Sequence, residues 1–375
     1  MLPQPLRWNR LSTLQRYRLN RVNDQTKFIL LLSCHIMVGL IMIKSDIYTY
    51  LALSVFLVGC GNDDEDKTLS GEDITNRFFE NLSGDCQQYI GSFFSSVNDI
   101  KRSLLFTGQI TISSSGDQCV IQSNSIPNHD FNDNTAAFAN VVQEQGVNYS
   151  FSASPAIQGS STALSIEMSE AILLNGVKLD LLAAACYGVG NEKTGCGQSQ
   201  INNPWRYDPM SPLNSFGTDK HNAHVQPSGA YHYHGNPMAM FNQDCVGKQA
   251  SPVIGFAADG FPIYGSCFTD GTTGVVRKAT SSYELKVGPR LDDGAYTAPT
   301  VGGNVVSTNY DGQFRGDWQY TVALGDLDEC NGMTLNGQYG YYITDTFPWV
   351  MNCFKGTPNS SFGRMSAARS HSHEP

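Results

Sequence analysis

The sequence predicts a mostly β protein, β-sandwich-like or built of irregular antiparallel sheets, braced by disulfides and entered through a short helical N-terminal part. Three observations lead there. Thirty-six glycines and sixteen prolines, with many Ser, Thr and Asn, suit closely spaced turns better than helical bundles. Short apolar runs recur between those turn residues. Eight cysteines follow residue 60, an even number that fits an oxidising compartment. With 41% hydrophobic and 15% charged residues over 375 positions, the chain has enough apolar material for one large domain or two small ones.

Residues 1–59 read as a leader. Seven basic residues before Cys60 (Arg7, Arg10, Arg16, Arg18, Arg21, Lys27, Lys44) face only Asp24 and Asp46. Two apolar runs, 28–43 and 47–58, flank Lys44-Ser45-Asp46, and the second ends in Leu57-Val58-Gly59-Cys60. That ending resembles the bacterial lipobox, which implies that Cys60 is lipidated and becomes the mature N-terminus, with translation starting at Met42 or Met37. The alternative is one uncleaved anchor across 28–58, since each run alone is shorter than a usual span of about 20 residues. Either way the body is expected outside the cytoplasm, in the cell envelope, held to the membrane and facing the periplasm or the exterior. Residues 60–72, rich in Asp and Glu, then form a solvated tether.

The whole chain carries −10, so the part after the leader is strongly acidic. Such a surface repels phosphate backbones and argues against a nucleic-acid partner. The expected partners are the membrane, through the N-terminal lipid, and a small-molecule or glycan ligand.

Within the body, residues 73–106 show weak helical spacing in Ile74, Phe78, Phe79 and Leu82. Strands dominate afterwards. Residues 107–113 and 118–123 flank Ser-Gly-Asp as a hairpin, and residues 171–174 and 177–181 flank Asn175-Gly176, a pair that readily takes the positive φ of a tight turn. Further strands are expected at 253–256, 261–264, 283–287, 318–323 and 339–344. An internal echo links Gly229-Ala-Tyr231-His-Tyr233-His234, running on to Cys245, with Gly337-Gln-Tyr339-Gly-Tyr341-Tyr342, running on to Cys353. Two copies of one β unit account for it most economically, with histidines in the first copy alone. Residues 107–356 form the main domain and 357–375, with His371 and His373, a disordered tail.

The eight cysteines are Cys86, Cys119, Cys186, Cys196, Cys245, Cys267, Cys330 and Cys353. The simplest pairing joins sequence neighbours, although eight cysteines allow about 105 connectivities. The chain has no Cys-x-x-Cys pair of the kind that marks a cysteine-ligated zinc.

Chemistry concentrates in the histidines. His221, His224, His232 and His234 lie close together, and His129 stands apart in Pro127-Asn128-His129-Asp130. Alternation along a strand sends His232 and His234 to one face and Tyr231 and Tyr233 to the other. His224, arriving from the preceding loop, supplies a third nitrogen. Three imidazoles leave a coordination position open, as catalytic zinc requires, and also suit copper, iron or nickel; a divalent transition metal, zinc or copper, is the expected cofactor. His129 and His221 either join the site or serve the local fold. Asp219, Asp244 and Asp259 are the nearest carboxylates, each able to ligate, to orient an imidazole or to act as a base, while Ala258-Asp259-Gly260 also reads as a plain turn. The Glu that follows His-x-His in cupin metal sites is missing.

The segments His224-Val-Gln-Pro-Ser-Gly-Ala-Tyr231-His-Tyr-His234-Gly235 and Gly255-Phe-Ala-Ala-Asp259-Gly-Phe-Pro-Ile-Tyr264-Gly265 resemble the YHYH domain family of exported proteins, as do 123–130 and 327–332. The resemblance implies a domain over about 107–356 and a site at the histidines, with no reaction attached. Where the family shows a second His-containing Tyr-rich motif, this chain has Tyr339-Gly340-Tyr341-Tyr342. The metal-binding reading therefore stands beside a recognition module that stacks glycan or protein on Tyr231, Tyr233, Tyr264 and the tyrosines near 341, and beside a purely structural role. The sequence contains no Gly-x-Ser-x-Gly elbow and no Gly-x-x-x-x-Gly-Lys loop, which argues against serine-nucleophile and phosphate-cradling chemistry.

Overall fold

In Gly108-Gln109-Ile110-Thr111-Ile112 every second side chain is buried, the period of a strand with one face on a core. The same alternation runs through Gly91–Asp99, Gln118–Ser123 and Val147–Ser152, which join Leu104–Ser115 in an antiparallel meander. Glu72–Asp73 adds a short parallel edge, giving a five-stranded sheet. The computed structural model describes residues 70–246 and 249–364, within a unit spanning Thr68–Pro375. The expectations for the leader, for Cys60, for most of the tether and for His371 and His373 lie outside the described residues.

The helical start expected for 73–106 is not there. Among the described residues no α-helix occurs, and this stretch holds strands and one 3-10 turn, Cys86–Tyr89. The reason is that its N–H groups bond to distant carbonyls: Asn76 donates to Asn128 O and Phe79 to Met240 O. The apolar spacing builds no buried face either, since Phe78 and Leu82 remain exposed while Ile74 is buried.

An eight-stranded sheet packs on the meander, Phe151 of one stacking on Phe256 of the other at 5.0 Å. Its order is Gly332–Leu335, Gln338–Tyr342, Pro262–Tyr264, Val253–Ala257, Ala171–Leu173, Lys178–Leu179, Tyr231–Tyr233, Ala223–Val225. Read from either end, the sheet gives an outer antiparallel hairpin, a parallel contact and an inner antiparallel hairpin. The two inner hairpins meet antiparallel with Gly255 opposite Leu173, Phe256 opposite Ile172 and Ala257 opposite Ala171, so Ile172 and Phe256 mark a pseudo-twofold centre.

The two halves repeat in detail. Asn175-Gly176 and Asp259-Gly260 turn the inner hairpins, both glycines at positive φ. Asp219 and Asp328 turn the chain into the outer ones: each carboxylate accepts from the backbone N–H two and four residues on, at 3.0 and 3.3 Å for Asp219 and 2.9 and 3.0 Å for Asp328. Each also accepts a tyrosine hydroxyl, Tyr231 at 2.9 Å and Tyr339 at 3.1 Å. Asn222 and Asn331 both sit in the left-handed region that these turns require. The echo in the sequence is thus a duplicated unit.

All four disulfides join sequence neighbours: Cys86–Cys119, Cys186–Cys196, Cys245–Cys267 and Cys330–Cys353. Cys245 and Cys353, equivalent in the echo, close in opposite directions along the chain. Most buried apolar residues form one core, and a smaller cluster of Ala183, Ala185, Trp205, Tyr207, Val305 and Phe314 lies beside it. Among the described residues no helix is long and apolar enough to cross a membrane.

Candidate metal centre

Pro227-Ser228-Gly229 closes the hairpin that carries the site, with Gly229 at φ 84° and Gln226 N–H donating to Ala230 O at 3.0 Å. His224 lies on the strand Ala223–Val225 rather than in a loop, directly opposite His232. Directly opposed side chains on one face of an antiparallel pair are neighbours. His234 shares that face one step beyond the strand end, its N–H held by Asn222 O at 2.9 Å. Tyr231 and Tyr233 point the other way, fully buried.

The three imidazoles meet at their Nε2 atoms, His234 lying 3.1 Å from His232 and 3.0 Å from His224. Behind them, His224 Nδ1 faces Phe216 O at 2.6 Å and His232 Nδ1 faces Ala230 O at 3.2 Å. A nitrogen facing a carbonyl carries the proton, so both rings present a bare lone pair at Nε2. His234 Nδ1 faces the Asp180 backbone without a well-formed hydrogen bond. A proton on His234 Nε2 could fill only one of the two close N···N contacts. Burial lowers the proton affinity of His224 and pushes that of His232 and His234 well below the ordinary histidine value, so extra protons do not relieve the other contact. One cation at about 2.0–2.1 Å from each nitrogen relieves all of it, and neutral imidazoles with Nδ1–H on carbonyls are the donor set such an ion needs. These three residues form a group able to hold a metal ion.

The triad lines a cavity of about 620 Å³ together with Phe138, Leu182, Leu213, Phe216, Val225 and Asp180. Asp180 is buried; its carboxylate takes Lys178 at 2.8 Å, Gln226 at 2.7 Å and Arg364 at 3.1 Å. Burial alone would raise its pKa, but Lys178 and Arg364 hold it below the usual carboxylate range. Burial, with the Asp180 charge beside it, pushes Glu170 up. Asp180 was not singled out from the sequence. Its signal was the alternation Lys178-Leu179-Asp180, which puts two opposite charges on one face of an otherwise apolar hairpin.

The other candidate residues lie elsewhere. His129 and His221 pack on each other with ring centroids 3.9 Å apart, and His129 Nε2 is 2.6 Å from the hydroxyl of core-facing Tyr233. The strand therefore keeps them on its far face, away from the triad. Burial lowers the pKa of His129 to about 3 and that of His221 to about 4. Asp259 sits in its hairpin turn, accepting Tyr341 OH at 2.6 Å and Gly356 N–H at 2.9 Å. Asp219 holds the Tyr231 hydroxyl, and burial raises it to about 6. Asp244 accepts Val246 N–H in an exposed loop. None of these carboxylates belongs to the histidine group. Tyr231, Tyr233, Tyr264 and Tyr341, the proposed stacking platforms, are buried in the core.

In the second unit Met333, Gly340 and Tyr342 stand where His224, His232 and His234 stand in the first. Tyr264 stacks on Tyr342 at 5.1 Å, and a Cβ on Gly340 would lie 2.5 Å from the Tyr264 ring. An aromatic plug thus fills the space that the first unit leaves for imidazoles.

A disulfide-braced, all-β domain with an internally duplicated sheet and one three-histidine centre defines the class. The family model described as "YHYH protein" matches residues 148–356, and the chain belongs to that family. Curated proteins also show a short similarity: major core protein OPG129 of monkeypox, variola and vaccinia viruses is 38% identical over 61 residues, covering 13% of this chain. The match spans 10% of those proteins' own length. No solved structure matches the chain.

Proposed function

We propose that this is an exported, lipid-anchored envelope protein whose YHYH domain binds one divalent transition metal, zinc or copper, through the Nε2 atoms of His224, His232 and His234. The proton count carries this reading: two bare imidazole lone pairs and a third ring meet within 3.1 Å, with at most one proton available between them. The lipobox-like Leu57-Val58-Gly59-Cys60 and the four disulfides support export into an oxidising compartment. A bound ion would keep its remaining coordination position toward the cavity and act there as a Lewis acid. In this chain His224 and His232 are oriented by carbonyls, and Lys178 and Arg364 keep Asp180 ionised beside them.

Metal analysis of the mature protein, prepared without a tag and ending before His371, tests the proposal. About one equivalent of zinc or copper is expected, and loss of it in His232→Ala; absence of stoichiometric metal in the wild-type protein sinks the reading. Lipid at Cys60 is checked by mass spectrometry of the native N-terminus, where an unprocessed chain starting at Met1 overturns it.

A further inference from the structure

We infer that the cavity over the histidine centre binds a small amphiphilic anion, its charged head at the metal and its apolar body against Phe138, Leu182, Leu213 and Phe216. This rests on the metal reading and adds the class of ligand.

Two features of the cavity support it. Its volume of about 620 Å³ falls within the range of small-molecule sites, and apolar wall lies directly beside the triad, the Phe216 ring centroid 6.5 Å from that of His224. Phe138, Leu182, Leu213 and Phe216 supply apolar wall, and Asn140, Asn214 and Asn304 are polar residues of the same lining. A ligand with a polar end at the histidines can lay an apolar part against Phe216 and its apolar neighbours, where a polar group would leave its hydrogen bonds unmade.

Charge at the floor selects the head. Asp180 is the carboxylate lining that end, and Lys178 and Arg364 already pair with it at 2.8 and 3.1 Å. Lys178 and Arg364 together outweigh the one carboxylate. Three neutral imidazoles add nothing to balance a divalent ion, so the loaded floor carries excess positive charge. A carboxylate-like or hydroxamate-like head neutralises it. Glu192 and Lys193, which also line the cavity, cancel each other.

The test uses the tag-free mature protein loaded with cobalt(II), whose visible absorption reports ligands entering the coordination sphere. Benzohydroxamate and acetohydroxamate share a head and differ in body. Benzohydroxamate is expected to bind tighter by about fivefold or more, the direction set by apolar burial, and a smaller ratio overturns the inference. Benzyl alcohol keeps the body with a neutral head; binding as tight as that of benzohydroxamate overturns the anionic part. Phe216→Ala should narrow the ratio, and Leu213→Asn, at a half-exposed position that does not endanger folding, should do the same. A ratio unchanged in both variants places the body elsewhere and overturns the inference. Failure of the protein to take up cobalt is read separately by metal content, and it removes the metal reading together with this one.

Discussion

Ile172 faces Phe256 in register at the middle of the eight-stranded sheet, and the hydrogen bonds on one side of that pair recur on the other. Leu174 N–H reaches Ile254 O and Ala258 N–H reaches Glu170 O, both at 2.8–2.9 Å. Tyr233 takes a hydrogen bond from Asn175 at 2.9 Å, and its counterpart Tyr341 gives one to Asp259 at 2.6 Å. The two units share a frame and differ in what they place upon it.

The first prediction separates the triad from the other histidines. His234→Ala removes a ligand and is expected to weaken metal binding by at least about a hundredfold, beyond what loss of an orienting partner costs. His129→Ala, on the far face of the strand, is expected to keep one equivalent. Competition against a chromophoric chelator measures both, and equal losses in the two variants contradict the assignment.

Acid should destabilise the metal-free protein. Burial depresses His129 to about 3 and His221 to about 4, against an unfolded value near 6.5. Between those values the unfolded chain binds more protons than the folded one, so stability falls as pH drops through this window, by up to about 1.4 kcal/mol per pH unit for each histidine. Asp219, raised to about 6, and Glu170, raised to about 8, oppose the trend because their protonated forms are favoured in the fold, while the depressed His224, His232 and His234 add to it. Denaturant titrations from pH 7 down to 4 should show the net loss, and His221→Gln should flatten it. A stability that rises steadily on acidification would contradict the burial assigned to these rings.

Replacing Cys330 and Cys353 together with serine opens a loop of sequence separation 23 and should cost about 3 kcal/mol by the loop-entropy relation. Chemical denaturation reads the loss, and peptide mapping without reductant checks the four pairings directly.

A histidine grafted at Gly340 should not recreate the site in the second unit. Its Cβ would meet the Tyr264 ring at 2.5 Å and Pro262 O at 2.9 Å, so Gly340→His is expected to destabilise by roughly 1–3 kcal/mol through overpacking. Metal content should stay at one equivalent. A second equivalent would show that the plug yields easily.

Much of the site was legible because a strand's period is short. His-x-His on alternating backbone fixes a shared face without knowledge of the fold, and Asn175-Gly176 announces its own turn. The repeat was visible because Tyr231 and Tyr233, Tyr339 and Tyr341 must each reach a buried polar partner, and that need constrains sequence. What escaped depended on distant chain. The register that sets His224 opposite His232 is decided by pairing, so a loop was the natural reading of 224. The weak helical spacing at 73–82 gave way to hydrogen bonds with residues 128 and 240, which no local pattern displays. Asp180 gained meaning only when Arg364, far along the chain, came to lie beside it.

Where the first unit brings His221 against His129, the second holds Cys330, bonded to Cys353. One copy has a covalent clasp at the very spot where the other has two rings in contact at an interplanar angle of 39°. The strand pair that must present lone pairs to a cation follows a turn held by rings rather than by a disulfide, while the aromatic-filled half, clasped at its turn, can anchor the shared sheet against unfolding. Twofold construction therefore lets rigidity and reactivity be tuned in different copies, and changes that alter metal chemistry need not pass through the residues that keep the sheet together.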